Sequence, residues 1–196
     1  VIVIPAGWSG ISSWVAPDDP LVVNIFDPVV DNMVILQNPI GQVYWPDLGV
    51  NSIVNWNSHH GYTIKMDVES IVLFEGPAES DLTVDLPAGW WMHPVLAAEN
   101  VATDALYGPL GGDLVIAKEI AGSRIYWPDQ GIINLNFVEP GKAYQILMNV
   151  EGELDYTGLG GNATAPLASN IELNEFENLT PWNDLQRTGV SHTIAI

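Results

Sequence analysis

The chain contains no cysteine. That removes thiol nucleophiles, disulfides and cysteine-ligated zinc together, without deciding the compartment. Positive charge is almost as scarce: five Lys and Arg stand against 24 Asp and Glu, a formal net charge of −19. Such a surface repels phosphate backbones and anionic lipid, which argues against nucleic acid as a partner. It suits solubility in salty or extracellular surroundings. No apolar run is long enough to span a bilayer, so no membrane insertion is expected. The start, Val1-Ile2-Val3-Ile4, reads directly into a strand, with no basic region leading an apolar core. That is the expectation for a mature form or an excised fragment.

Catalytic and metal motifs are missing too. There is no Gly-x-Ser-x-Gly elbow. Pairs such as Asp18/Asp19 or Glu172/Glu175 are only what so acidic a chain must contain, so no enzyme is expected. His59 and His60 are adjacent and would point to opposite faces of a strand, while His93 and His192 are far off. No histidine metal site is expected. Acidity alone leaves calcium in an irregular loop as the one cofactor open.

What the chain does have is a stretch spelled twice. Tyr44-Trp45-Pro46-Asp47 with Gly49 returns as Tyr126-Trp127-Pro128-Asp129 with Gly131, 82 positions on. At the same shift Pro5-Ala6-Gly7-Trp8 returns as Pro87-Ala88-Gly89-Trp90, and Tyr62, Ile64 and Met66 return as Tyr144, Ile146 and Met148. Three blocks on one spacing predict two diverged copies of one unit. The segment Leu21–Phe26 before Asp27-Pro28 reads as a helical turn, and its counterpart Thr103–Tyr107 lies at a shift of 81. One residue has been gained or lost there, which places both segments in connections outside the sheets.

The rest reads as strands. Met33–Leu36 with Gln42–Trp45, and Leu114–Ile116 with Arg124–Trp127, predict two hairpins, each ended by the Pro after its Trp. Tyr62–Met66 and Tyr144–Met148 alternate cleanly, with Tyr, Ile and Met on one face. The expected fold is all-β: two tandem pseudo-repeat antiparallel units, each a small barrel or sandwich, packed together. The units are residues 1–81 and 82–158, followed by a linker and strand-containing tail over 159–196.

With the blocks laid out, the chain resembles a repeat module of secreted and surface-attached bacterial proteins, Bacteroidetes-like in type. The likeness rests on Ala6-Gly7-Trp8, Met33–Leu36, Gly41–Pro46, Asn51–Ile53 and Gly61–Met66. In the second copy it rests on Gly89-Trp90, Leu114–Ile116, Gly122–Pro128, Asn134-Leu135 and Pro140–Tyr144. Ser9 and Trp91 stand where the module favours Asn, and Leu147 where it favours Lys. The resemblance implies a secreted or cell-surface location and tandem arrangement beside neighbouring domains of a larger chain. The roles it implies are adhesion, carbohydrate binding or surface display, with no catalytic residue.

Aromatics kept in both copies, Trp8/Trp90, Trp45/Trp127, Tyr44/Tyr126 and Tyr62/Tyr144, are expected to serve the fold, with Trp45 and Trp127 facing inward. Those present once are candidate platforms for a sugar ring: Trp14 faces Leu96 in the alignment, Trp56 faces Val138 and Trp91 faces Ser9. Asn55, Asn57 and Asp47 neighbour Trp56 in sequence and would take sugar hydroxyls. The expected site is therefore Trp56 first, with Asn55, Asn57, Trp14, Trp91 and Asp47, binding a polysaccharide or cell-surface glycan. The alternatives are a structural spacer without a small ligand and, in another class, an enzyme marked by a cleft with two facing carboxylates.

Overall fold

Short alternating runs cut by Gly and Pro fold into short strands, because neither residue continues a ladder. A computed structural model describes residues 1–161; the expected tail lies outside them, apart from its first three positions. The chain runs β1 (Ile2–Ile4), β2 (Gly7–Ile11), α1 (Val22–Phe26), β3 (Met33–Gln37), β4 (Val43–Trp45), β5 (Val50–Asn51), β6 (Tyr62–Met66) and β7 (Ser70–Val72). It continues as β8 (Thr83–Leu86), β9 (Gly89–His93), β10 (Val101–Ala102), α2 (Thr103–Tyr107), β11 (Leu114–Glu119), β12 (Ile125–Trp127), β13 (Ile132–Ile133), β14 (Phe137–Val138), β15 (Tyr144–Met148) and β16 (Gly152–Asp155). The fold is all-β, with two α-helices of a single turn each among the described residues.

Two five-stranded antiparallel sheets dominate, ordered β2-β6-β3-β4-β5 and β9-β15-β11-β12-β13. Neither closes into a barrel, so the expected choice of barrel or sandwich resolves to open sheets, each backed by a two-stranded ribbon, β1-β7 or β8-β16. On β6 and β15 the Tyr, Ile and Met are buried and the residues between are half-buried, as their alternation requires. One core draws only on residues from Ile2 to Phe74, the other only on residues from Val84 to Tyr156.

Matched elements share matched irregularities. β3 carries a bulge between Met33 and Ile35 against β6, and β11 carries one between Leu114 and Ile116 against β15. After β4 and β12 a one-turn 3-10 helix ends on Gly49 (φ +63°) or Gly131 (φ +64°), whose N–H bonds the proline carbonyl at 2.9 Å. Those left-handed angles favour glycine. The turns joining each hairpin differ by one residue yet close alike. Asn38 and Gln42 bond through amides in the first, with Asn38 Nδ2 donating to Gln42 Oε1 at 2.7 Å. Arg124 donates Nε to Glu119 Oε1 at 2.8 Å in the second.

The ribbons differ in their outward faces. β1-β7 turns Val1, Val3, Ile71 and Leu73 to solvent, whereas the matched positions of β8-β16 are Thr83, Asp85, Glu153 and Asp155. The halves are joined by hydrogen bonds from both backbone and the Ser12 side chain. Ser12 is fully buried; its N–H donates to the Gly141 carbonyl at 3.0 Å and its Oγ receives the Val95 N–H at 3.0 Å. The Gly61 N–H donates to the Met92 carbonyl at 3.1 Å. A Cβ on Gly10 would strike the Ala143 carbonyl, and one on Gly61 would come within 2.6 Å of the His93 carbonyl. Gly10 and Met92 are matched positions, as are Gly61 and Ala143, so the contact is reciprocal in the manner of a two-fold interface.

Candidate functional site

β4 and β12 read Val-Tyr-Trp and Ile-Tyr-Trp, and their centres face the core: Tyr44 and Tyr126 are buried while Trp45 and Trp127 are half-buried on the outer face. The expected inward tryptophan is corrected. A three-residue strand with apolar residues on both faces carries no alternation to reveal its orientation. Trp8 and Trp90 are corrected further. They are 49% and 54% exposed, on the outer faces of the edge strands β2 and β9. Trp8 stands in register with Lys65 and Ile35, and Trp90 with Leu147 and Ile116. A sequence signal existed: Trp8 is flanked at two residues' distance by Ala6 and Gly10, so it belongs to no apolar face.

Of the six expected site residues, Trp56 does not reach the surface. It is 4% exposed and stacks on Tyr62 with ring centroids 4.1 Å apart, beside Phe74 at 4.8 Å. It is a core aromatic, and its role as a sugar platform is withdrawn. Its neighbours Asn55 and Asn57 are exposed, and Asn57 serves the turn: its N–H donates to the Tyr62 hydroxyl at 2.8 Å, and its Oδ1 receives the His59 N–H at 2.9 Å. Asp47 is exposed on the 3-10 turn after β4. None of these four shares a cavity with Trp14 or Trp91.

Trp14 and Trp91 each line a cleft where the two halves meet. The larger, of about 540 Å³, brings Trp14 together with Trp8, Ser9, Glu119, Glu139 and Lys142, and its apolar wall is the β1 strand. The smaller, of about 210 Å³, holds Trp91 beside Trp90, Gln37, Thr63 and Gln145. Trp8 and Trp90 are matched positions, so each cleft has the same half-exposed indole at its mouth. Lys65 Nζ lies 5.9 Å from the centre of the Trp8 ring and Lys118 Nζ 5.4 Å from that of Trp90. Among the described residues neither lysine pairs with a carboxylate.

The larger cleft does carry two glutamates, and their partners decide what they can do. Arg124 donates Nη2 to both Glu119 and Glu139, and Lys142 Nζ lies 2.7 Å from Glu139. Burial opposes ionisation of both carboxyls, but hydrogen bonds from Arg124 and Lys142 outweigh it and hold both below the ordinary glutamate value. Two carboxylates fixed in the ionised form offer acceptors and no general acid. Arg124→Gln should raise both titrations, read by ¹³C NMR of the side-chain carboxyls; unchanged midpoints would mean the arginine does not control them.

The shielded polar atoms point to the same places. Among the described residues three buried side-chain polar atoms have no hydrogen-bond partner: Ser9 Oγ, Trp91 Nε1 and Trp56 Nε1. The first two sit at matched positions and each belongs to a residue lining one cleft. Burying such a group unpaired costs about 1–3 kcal/mol, and Trp91 meets it while packed against the second core and edge-on to His60. Among the described residues no cluster of three or more His, Asp or Glu is placed to hold a metal, and no helix is long and apolar enough to cross a membrane. Compared with family models, curated proteins and solved structures, the chain finds no match.

Proposed function

We propose that the chain is a non-catalytic glycan-binding module of a secreted or cell-surface bacterial protein, built from two diverged copies of the tandem repeat unit it resembles. The observation that carries the glycan reading is the larger cleft. Two tryptophans, Trp8 and Trp14, line it with carboxylates held ionised by Arg124 and Lys142. A sugar ring presents apolar C–H faces that stack on indole and equatorial hydroxyls that donate to carboxylates. Phosphate-bearing ligands fit poorly against a net charge of −19. Neither glutamate is set up to protonate a leaving group, which favours binding without turnover.

Affinity electrophoresis through gels containing barley β-glucan, xyloglucan or galactomannan tests this reading. At least one polymer should retard the protein, and Trp8→Ala or Trp14→Ala should weaken that retention about tenfold or more. Retention by none, or retention indifferent to both substitutions, would remove the glycan claim. A second reading then gains ground, that of a rigid spacer between neighbouring domains. It is favoured by the reciprocal steric lock at Gly10 and Gly61, which leaves the halves little freedom to pivot.

A further inference from the structure

The two halves contact each other reciprocally, so whatever one edge strand forms with the opposite half is formed again by the other. β2 meets the segment around Ala143, and β9 meets the segment around Gly61, 82 positions earlier. The larger cleft lies along the first meeting and the smaller along the second. Their shared features are the half-exposed indole at the mouth, a lysine against that indole, and one shielded polar atom without a partner on the next residue. Packing alone does not require these. An exposed tryptophan adds no core, and an unpartnered buried N–H is a net cost.

The linings differ in charge. The larger cleft has Glu119 and Glu139 with their cations; the smaller is lined by the amides of Gln37 and Gln145 and the hydroxyl of Thr63, with no carboxylate. The hairpin turns set this contrast. The second half closes its turn with the ion pair Glu119–Arg124, while the first closes its own with the amides of Asn38 and Gln42. Thr63 Oγ1 is engaged only by the soft sulfur of Met92 at 3.0 Å, a weak acceptor that a sugar hydroxyl can outcompete.

We propose that the smaller cleft is a second sugar-binding subsite, in which an uncharged sugar ring stacks on Trp90 and hydrogen-bonds Gln37, Gln145 and Thr63. It rests on the glycan reading of the larger cleft and extends it. The chain thereby carries two subsites related by its internal repeat and can grip one polysaccharide at two points. Neutral sugar is the fitting class because both glutamines and Thr63 donate and accept alike, and because the molecule's net charge of −19 disfavours a polyuronate.

The test follows the tryptophan indole N–H signals of the ¹⁵N-labelled chain during titration with cellohexaose, xylohexaose, mannohexaose and, as the acidic comparison, trigalacturonate. The expected result is that a neutral hexasaccharide shifts the signals of Trp90 and Trp91 as well as those of Trp8 and Trp14. Trp90→Ala, at a half-exposed position, should weaken the Trp91 response about tenfold or more and leave the Trp8 response unchanged. Shifts confined to Trp8 and Trp14 would overturn the second subsite while the glycan reading stands. Shifts at Trp91 produced by trigalacturonate alone would overturn the neutral class. No shift with any of the four would overturn both.

Discussion

Trp56→Ala is expected to lower the unfolding free energy by about 3–5 kcal/mol, the range for deleting a large aromatic from a packed core. The indole is nearly parallel to Tyr62, at 17°, and touches Phe74 and Phe26 as well. The Tyr62 ring it stacks on also receives the Asn57 N–H through its hydroxyl, so an alanine would remove the packing that holds that tyrosine in place. Trp56→Phe separates two contributions. It keeps most of the ring contact and deletes Nε1, a buried donor with no partner, so it should cost much less than alanine. Urea denaturation monitored by tyrosine and tryptophan fluorescence gives both values. A loss below about 1 kcal/mol for alanine is what a surface residue would give, and it would return Trp56 to the list of ligand contacts.

Trp56 also shows where sequence reading stopped. The rule applied to it was that an aromatic missing from the sister unit is free to bind something. Trp14 and Trp91, chosen by the same rule, do line clefts; Trp56 fills a gap peculiar to its own half. In the second half Val138 stands at that position, and the ring stacked on the matching tyrosine is His93 instead, 5.9 Å from Tyr144. The rule detects difference between copies, and a core substitution is as much a difference as a binding residue. Repetition points the other way at Trp8 and Trp90: they recur as scaffold residues do, yet both are half-exposed. Both hairpins, both helical turns and the central strands β6 and β15 are legible because each is a local pattern of period, Gly and Pro; the edge strands β2 and β9, which start at the Gly of Pro-Ala-Gly-Trp, are not. Both clefts were invisible because each joins residues from opposite halves, such as Trp8 with Lys142, through contacts no local pattern records.

His93 makes the second half sensitive to acid below pH 6.5. The imidazole is fully buried; Nδ1 faces the Pro94 carbonyl at 2.8 Å and Nε2 the Tyr107 hydroxyl at 2.9 Å. A carbonyl only accepts, so Nδ1 carries the proton and Nε2 receives the tyrosine's. The neutral ring therefore satisfies both nitrogens, and a second proton on Nε2 would leave Tyr107 facing a donor. Burial is the main cause that brings the pKa down from 6.5 to about 4, against a smaller opposing effect of the Pro94 carbonyl. The rings packed on it, Tyr107 and Tyr144, stay neutral because burial raises both above their ordinary values.

The sign follows from comparing folded and unfolded chains. Above pH 6.5 the ring is neutral in both, and stability is complete. As pH falls from 6.5 towards 4 the unfolded chain takes up a proton that the folded one refuses, so stability drops by about 1.4 kcal/mol per unit. The loss reaches about 2 kcal/mol near pH 5 and about 3 kcal/mol near pH 4. His60 is shifted the same way by burial and adds to the slope, so the measurement needs a subtraction. Urea unfolding of wild type and His93→Gln at about pH 7.5 and about pH 5 supplies it. Wild type should be the more stable at the higher pH, since glutamine loses the stacked ring, and its advantage should shrink by about 2 kcal/mol at the lower. An advantage that stays constant between the two would mean that His93 takes up its proton equally well in the folded chain, which the buried site between Pro94 and Tyr107 does not permit.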